Sequence, residues 1–228
     1  MTPRVVILSA PSGGGKTAVT RALLDRYPGQ FGYSVSATTR KPRPGEADGA
    51  AYHFITREEF EQRKVAGEFL EFAQYAGELY GTLQSEVQEI LARGLDVLLD
   101  IEVKGARQVR AVYGGSSVSV FLVPPSARVL LDRLRARRTE SVAEVARRVQ
   151  IAVEEIRIAS QDIQAAIVYD HVVVNDDLEQ TVRRVVEIID HPDLVKHRTV
   201  DMIKLIAGLV GDLEHEADQL QAGLKETE

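Results

Sequence analysis

The stretch Val5-Val6-Ile7-Leu8-Ser9-Ala10-Pro11-Ser12-Gly13-Gly14-Gly15-Lys16-Thr17 decides the fold. Val5–Ser9 is a short β-branched run. Ala10–Gly15 is a glycine-rich loop. Lys16–Tyr27 has the helical spacing of Val19, Leu23 and Leu24 and stops at Pro28-Gly29. Strand, glycine loop and helix in that order are the setting of a phosphate loop. Glycines let the backbone curl until several N–H groups point inward, the helix N-terminus adds positive potential, and Lys16 reaches the outer phosphates. The Thr17 hydroxyl is placed to ligate Mg²⁺. The strict pattern opens with glycine; Ala10 stands there, which a negative φ tolerates. A flexible glycine turn leading into a helix is the plainer alternative, and the agreement of strand, Gly15-Lys16-Thr17 and helix argues against it.

Outward from the loop, apolar strands alternate with helices. Leu95–Ile101 reads as a buried parallel strand followed by a helix after Gly105. Val118–Val123 is a strand ended by Pro124-Pro125, and His171–Val174 another, ended by Asn175-Asp176-Asp177. This rhythm predicts βαβ units and a parallel sheet covered on both faces. Two stretches break it. Ser34–Tyr80, with strand-like Tyr33–Ala37 and Ala51–Phe54, reads as an inserted subdomain; Arg128–Ala159 reads as helical and arginine-rich.

The 228 residues suit one α/β domain with a small appendage. With 44% hydrophobic and 27% charged residues, wholesale disorder is excluded. The absence of cysteine excludes a disulfide scaffold, a thiolate zinc site and cysteine nucleophile chemistry. No apolar run is long enough to span a bilayer, and no signal-peptide shape precedes Val5, so a cytoplasmic protein is expected. The net charge of −6 argues against binding nucleic acid through global charge. Residues 200–228 carry seven acids against two lysines, leaving only about −1 on the rest, so any anionic ligand is held by local arginine clusters.

One such cluster is Thr38-Thr39-Arg40-Lys41-Pro42-Arg43-Pro44-Gly45-Glu46. Two prolines stiffen it, and the Arg40 and Arg43 guanidiniums suit a phosphate dianion. Tyr52 and Tyr80 add phenol donors. The alternative is a solvated basic turn. Glu71, in Gly67-Glu68-Phe69-Leu70-Glu71-Phe72-Ala73, is flanked by aromatics. A carboxylate in a partly apolar pocket wants two donors, and guanine offers N1–H and the 2-amino group side by side. Adenine offers neither in that place and would leave the carboxylate unpaired. Ser36 or Thr82 would donate to O6. Taken alone, Glu71 is not placed there by physics, because a helix-surface glutamate is the usual case.

Seven segments in order resemble the guanylate kinase family: Ser9–Thr17, Ser34–Glu46, Tyr52-His53-Phe54, Gly67–Glu71, Tyr80-Gly81-Thr82, Leu99–Gly105 and Val174–Leu178. The resemblance runs from about Val5 to Asp190. It implies a P-loop three-layer αβα core with an inserted GMP-binding subdomain and a helical lid. The implied division is a core of residues 3–33, 83–125 and 160–190, a GMP-binding part of 34–82, a lid of 126–159 and a helical extension of 191–228. It implies transfer of phosphate from ATP to GMP, and to dGMP, with Mg²⁺, in purine nucleotide metabolism. By position, the ATP phosphates would lie on Ala10, Pro11, Ser12, Gly13, Gly14, Gly15, Lys16 and Thr17, with Arg137 and Asn175 adding contacts. GMP would lie on Ser36, Arg40, Arg43, Tyr52, Glu71, Tyr80, Thr82, Asp100 and Glu102. Thr17 and Asp100 would flank the metal. Lys16, Arg40, Arg137 and Arg148 would carry the positive charge of catalysis, and large domain closure is expected, with Gly45, Gly49 and Gly67 bordering the mobile parts. Four positions depart from the family pattern: Glu102 where Asp is usual, Val103 and Lys104, and Arg138 where glycine is usual.

The tail has its own pattern. Ile203, Ile206, Val210, Leu213, Ala217, Leu220 and Leu224 are spaced 3, 4, 3, 4, 3, 4, a heptad seam. It fits an amphipathic helix packed on its own core, or one pairing with a second copy into a homo-oligomer. Its acid surplus argues against an anionic membrane surface. Two rival functions remain at this point. A guanylate-kinase-like binding module would lack an intact phosphate loop, and a kinase for another acceptor, such as a sugar phosphate, would not need Ser36, Glu71 and Thr82 together.

Overall fold

The structure, a computed structural model, describes residues 2–75, 77–136, 142–191 and 200–225; of residues 200, 201 and 220–225 only the backbone is described. The elements run β1 (Val5–Ser9), α1 (Lys16–Arg26), β2 (Phe31–Tyr33), β3 (Ala37–Thr38), β4 (His53–Phe54), α2 (Arg57–Val65), β5 (Phe69–Tyr75), β6 (Glu78–Leu83) and α3 (Gln84–Ala92). They continue β7 (Asp96–Asp100), α4 (Val103–Tyr113), β8 (Ser117–Val123), α5 (Ala127–Arg135), α6 (Val142–Gln164), β9 (His171–Val174), α7 (Leu178–Asp190) and α8 (Val200–Lys225). The larger sheet has the strand order β2-β7-β1-β8-β9, and the smaller β4-β3-β6-β5. All residues of β1 and β8 are buried, as a parallel sheet with both faces covered demands.

The chain forms two compact units, Met1–Ile7 with Leu23–Ser117, and Leu8–Ala22 with Val118–Glu228. In the first, β2 runs parallel to β7, Phe31 opposite Asp96. The Asp96 carboxylate accepts the Arg4 N–H at 2.7 Å and so holds the start of the chain there. The smaller sheet has its own core of Ala37, Phe60, Phe69, Leu79 and Leu83. The Phe60 and Phe69 rings stack at 4.3 Å, and Thr56 caps α2 by accepting the Glu59 N–H at 3.1 Å.

In the second unit β8 pairs parallel with β9, Val120 opposite His171 through Val123 opposite Val174. Ser119 is fully buried in β8, and its hydroxyl donates to the Val168 carbonyl at 2.5 Å. Ser126 and Asp177 cap α5 and α7. Helix α8 lies along α6 with Ile206, Leu209, Leu213 and Ala217 buried, and Arg157 of α6 pairs with Glu214. The apolar face of the tail is therefore covered by its own chain; Leu220 and Leu224 lie outside the described side chains.

Several elements differ from the sequence reading. The helix expected after Gly105 begins at Val103 and contains Gly105 in its first turn. The strand expected over Tyr33–Ala37 is broken: Ser34, Val35 and Ser36 leave the sheet because the Glu86 carboxylate takes the Val35 N–H at 2.7 Å and the Ser34 hydroxyl at 3.4 Å. The β5–β6 ladder was not read from sequence at all. Phe69, Phe72 and Tyr75 recur every third residue, which imitates helical spacing, yet they lie on a strand.

Candidate functional site

The phosphate loop lies in the second unit. Gly13 and Gly15 sit at φ +81° and +86°, a conformation that L side chains rarely adopt. The Gly14 N–H donates to the Pro11 carbonyl at 2.7 Å, and the Gly15 carbonyl opens α1 by accepting from Ala18 at 3.1 Å and Val19 at 3.2 Å. Lys16 and Thr17 are the first residues of α1, and Thr17 is exposed. Ala10 is buried, and a Cβ on Gly14 would stand 2.8 Å from the Ala10 Cβ, so the loop is packed as well as curled.

Three distant side chains brace this loop. The Asn175 amide, just after β9, donates to the Gly14 carbonyl at 2.8 Å. The buried Glu155 carboxylate accepts the Ser12 N–H at 2.7 Å. Arg148 lies two turns earlier on the same face of α6, and its Nε reaches the Ser12 hydroxyl at 3.4 Å. Glu155 was missed from sequence; its seven-residue offset from Arg148 was the available signal. Arg133 lies in the arginine-rich stretch Arg128–Ala159, and the sequence assigned it no role. Its Nη2 donates to the Asn175 carbonyl at 2.9 Å. Its Nη1 is buried without a hydrogen-bond partner, 3.8 Å from where a Gly15 Cβ would be. An orphaned guanidinium donor beside inward-curled backbone fits an anionic phosphate. Arg137 and Arg138 lie outside the described residues.

The second constellation lies in the first unit. The β5–β6 ladder sets Glu71 opposite Thr82 and Ala73 opposite Tyr80, with a bulge between Phe69 and Glu71. Glu71 is 5% exposed, and its Oε1 accepts the fully buried Thr82 hydroxyl at 2.6 Å. It is a buried strand glutamate, not a helix-surface one. The Ser36 carbonyl accepts the His53 N–H at 3.0 Å, while the His53 ring meets Glu86, the carboxylate that holds Val35. Asp100 ends β7 and Glu102 is the residue before α4, both partly buried.

Arg40 stands over Tyr52 at 5.3 Å and Phe54 at 5.6 Å, and the Tyr52 and Tyr80 rings meet edge to face at 5.8 Å. Both terminal nitrogens of Arg40 grip Glu46, each at 2.9 Å. Glu46 also accepts the Arg43 N–H at 2.7 Å. Hydrogen bonding from Arg40 holds the Glu46 carboxyl below its ordinary value, helped by the Arg43 N–H. The same contact raises Arg40 further. Sequence reading quoted Glu46 without giving it a task.

Thr17 and Asp100 are the expected metal neighbours. Among the described residues, no group of three or more His, Asp or Glu side chains could hold a metal. The Thr17 hydroxyl and the Asp100 carboxylate are oxygen donors of the kind Mg²⁺ takes. Among the described residues, no helix is long and apolar enough to cross a membrane.

A protein-family model described as Guanylate kinase matches residues 2–192. The chain is 49% identical over 178 residues to a guanylate kinase of Symbiobacterium thermophilum, covering 78% of this chain and 80% of that one. It is 43% identical over 204 residues to a guanylate kinase of Latilactobacillus sakei, covering 90% and 97%. Among solved structures, that of guanylate kinase from Anaplasma phagocytophilum superposes with a TM-score of 0.66 at 30% identity, covering 90% of this chain and 94% of that one.

Proposed function

This chain belongs to the guanylate kinase family and transfers a phosphoryl group from ATP to GMP, giving ADP and GDP, and we propose how its residues divide that reaction. The observation that carries the proposal is the buried Glu71–Thr82 pair. A carboxylate held in the interior is matched to a ligand with two adjacent donors, which guanine has and adenine lacks. Glu71 takes N1–H and the 2-amino group, Ser36 donates to O6, and Thr82, whose one hydroxyl proton goes to Glu71, holds that carboxylate in the GMP site. Asp100 and Glu102 line the same side. Arg40, Arg43, Tyr52 and Tyr80 hold the GMP phosphate. With recognition assigned to the guanine edge and the phosphate, dGMP is proposed as a second acceptor.

On the ATP side, the loop Ala10–Thr17 wraps the phosphates, Lys16 neutralises the outer ones, and Asn175 with the lid residues Arg137 and Arg148 complete the contacts. Thr17 and Asp100, together with the nucleotide phosphates, would hold Mg²⁺, which would supply further charge neutralisation. A GMP phosphate oxygen attacks the γ-phosphorus in line, the bond to the ADP oxygen breaks, and ADP leaves with that electron pair. No general base is needed, because the second phosphate ionisation lies near pH 6 and the dianion predominates at neutral pH. Alignment and charge cancellation do the rest. The division into core, GMP-binding part (34–82) and lid (126–159) belongs to this proposal, as does closure that excludes water when both nucleotides are bound. So do the place in purine nucleotide metabolism and the cytoplasmic location. Because α8 carries its apolar face on α6, we assign the tail to support of its own chain rather than to a homo-oligomer.

The test is ADP production from ATP and Mg²⁺ with GMP, dGMP, AMP, CMP and UMP offered separately. Turnover with GMP and dGMP alone is expected; equal turnover with AMP would remove Glu71 from base reading.

A further inference from the structure

We propose that α4 fixes the base-reading carboxylate, with Gly105 and Gln108 as positioning residues for guanine discrimination. This rests on the assignment of Glu71 to the guanine edge.

Gly105 is the third residue of α4. Helix interiors disfavour glycine, and its φ is not among the positive ones, so no backbone conformation asks for it here. Space does. A Cβ on Gly105 would stand 2.3 Å from Glu71 Oε2, 2.9 Å from its Cδ and 3.4 Å from its Cγ. Glu71 is therefore seated between two surfaces. One oxygen takes the Thr82 hydroxyl at 2.6 Å, and the other lies against bare helix backbone at Gly105. The obstructed atoms are the far end of a side chain, so an added methyl moves the carboxylate and leaves the helix in place. Any such movement strains the Thr82 contact and shifts both oxygens from the line that N1–H and the 2-amino group require.

Gln108 holds the backbone that carries Glu71. Strand β5 is the last in the order β4-β3-β6-β5, so among the described residues its outer edge faces no strand. There the Gln108 amide acts as a strand of one residue. Its Nε2 donates to the Phe72 carbonyl at 2.9 Å, and its Oε1 accepts the Phe72 N–H at 3.2 Å. Phe72 directly follows Glu71, just past the bulge at Phe69 and Glu71, where the ladder to β6 is least regular. Three residues apart, Gly105 and Gln108 share one face of α4. One leaves room for the carboxylate, and the other pins the main chain beside it.

The experiment measures steady-state kinetics of Gly105→Ala, Gln108→Ala and Glu71→Gln with ATP and either GMP or inosine 5′-monophosphate. The latter keeps N1–H and O6 but lacks the 2-amino group. Gly105→Ala is expected to raise the KM for GMP about tenfold and to shrink the preference for GMP over inosine monophosphate, as misplacing one buried polar contact does. The KM for ATP stays unchanged and Tm does not fall, since alanine favours the helix. Gln108→Ala shows the same pattern at about threefold. If Glu71→Gln abolishes the preference while both α4 variants keep it, the proposal is overturned and the base reading stands. If Glu71→Gln itself keeps the preference, the base reading fails first. A Gly105→Ala protein with lowered Tm and equal losses for both nucleotides marks a purely structural glycine; Gln108→Ala with unchanged GMP kinetics removes the other half.

Discussion

The two constellations hold charge in opposite ways. The charged groups Glu71 and Arg40 are each met by a side chain close in sequence: Glu71 by Thr82, eleven residues away, and Arg40 by Glu46, six residues away. Around the phosphate loop, side chains hold backbone, and they come from far along the chain. Asn175 reaches Gly14 across 161 residues and Glu155 reaches Ser12 across 143. A site that reads a base needs a fixed pattern of donors and acceptors, and short-range pairs supply it cheaply in chain entropy. A site that grips phosphate needs curled backbone, which side chains elsewhere in the fold must keep in shape.

The strongest way to break this contrast is Lys16→Ala. It removes the only charge the loop contributes from its own side chains, and kcat should fall about 10³-fold with GMP binding retained. Next is Glu71→Gln, which should lower kcat/KM for GMP about 10²-fold while leaving the KM for ATP unchanged. Removing a brace instead of a contact comes third. Asn175→Ala should raise the KM for ATP about tenfold and leave the KM for GMP alone, the mirror image of Glu71→Gln; an effect on GMP alone would erase the division drawn here. The smallest effect is the pH response of the Arg40–Glu46 pair. Glu46 is held below the ordinary glutamate value of 4.5. Its contribution is therefore complete at neutral pH and is lost only as pH falls through its own lower value. Carboxyl chemical shifts followed during acid titration should show Glu46 taking up its proton below the ordinary glutamate value.

The same contrast explains what the sequence disclosed. The loop was readable because its instructions are local: β-branched residues, three glycines, then Lys16 and Thr17. Of its braces, Asn175 and Arg148 came through the family resemblance, but Glu155 and Arg133 did not, since nothing near them names Ser12, Asn175 or Gly15 as a neighbour. Glu71 was found for its chemistry but not for its element, because the every-third-residue aromatics Phe69, Phe72 and Tyr75 imitate a helix while the β5–β6 ladder overrides them. The tail was half legible. Its heptad spacing marked a buried stripe, but a stripe does not name its cover, and that cover is α6. Deleting the residues after Lys196 should consequently lower Tm by several degrees, through exposed apolar surface, with the mass per particle still that of one chain.

The grip of Glu46 on Arg40 has a practical consequence. With both terminal nitrogens of the Arg40 guanidinium occupied by one carboxylate, Arg40 presents a paired charge to solution. Sulfate, chloride or inorganic phosphate meets a neutral ion pair there, not a bare cation. An occupant must bring enough additional contacts, through base and sugar, to compete with a carboxylate already in place.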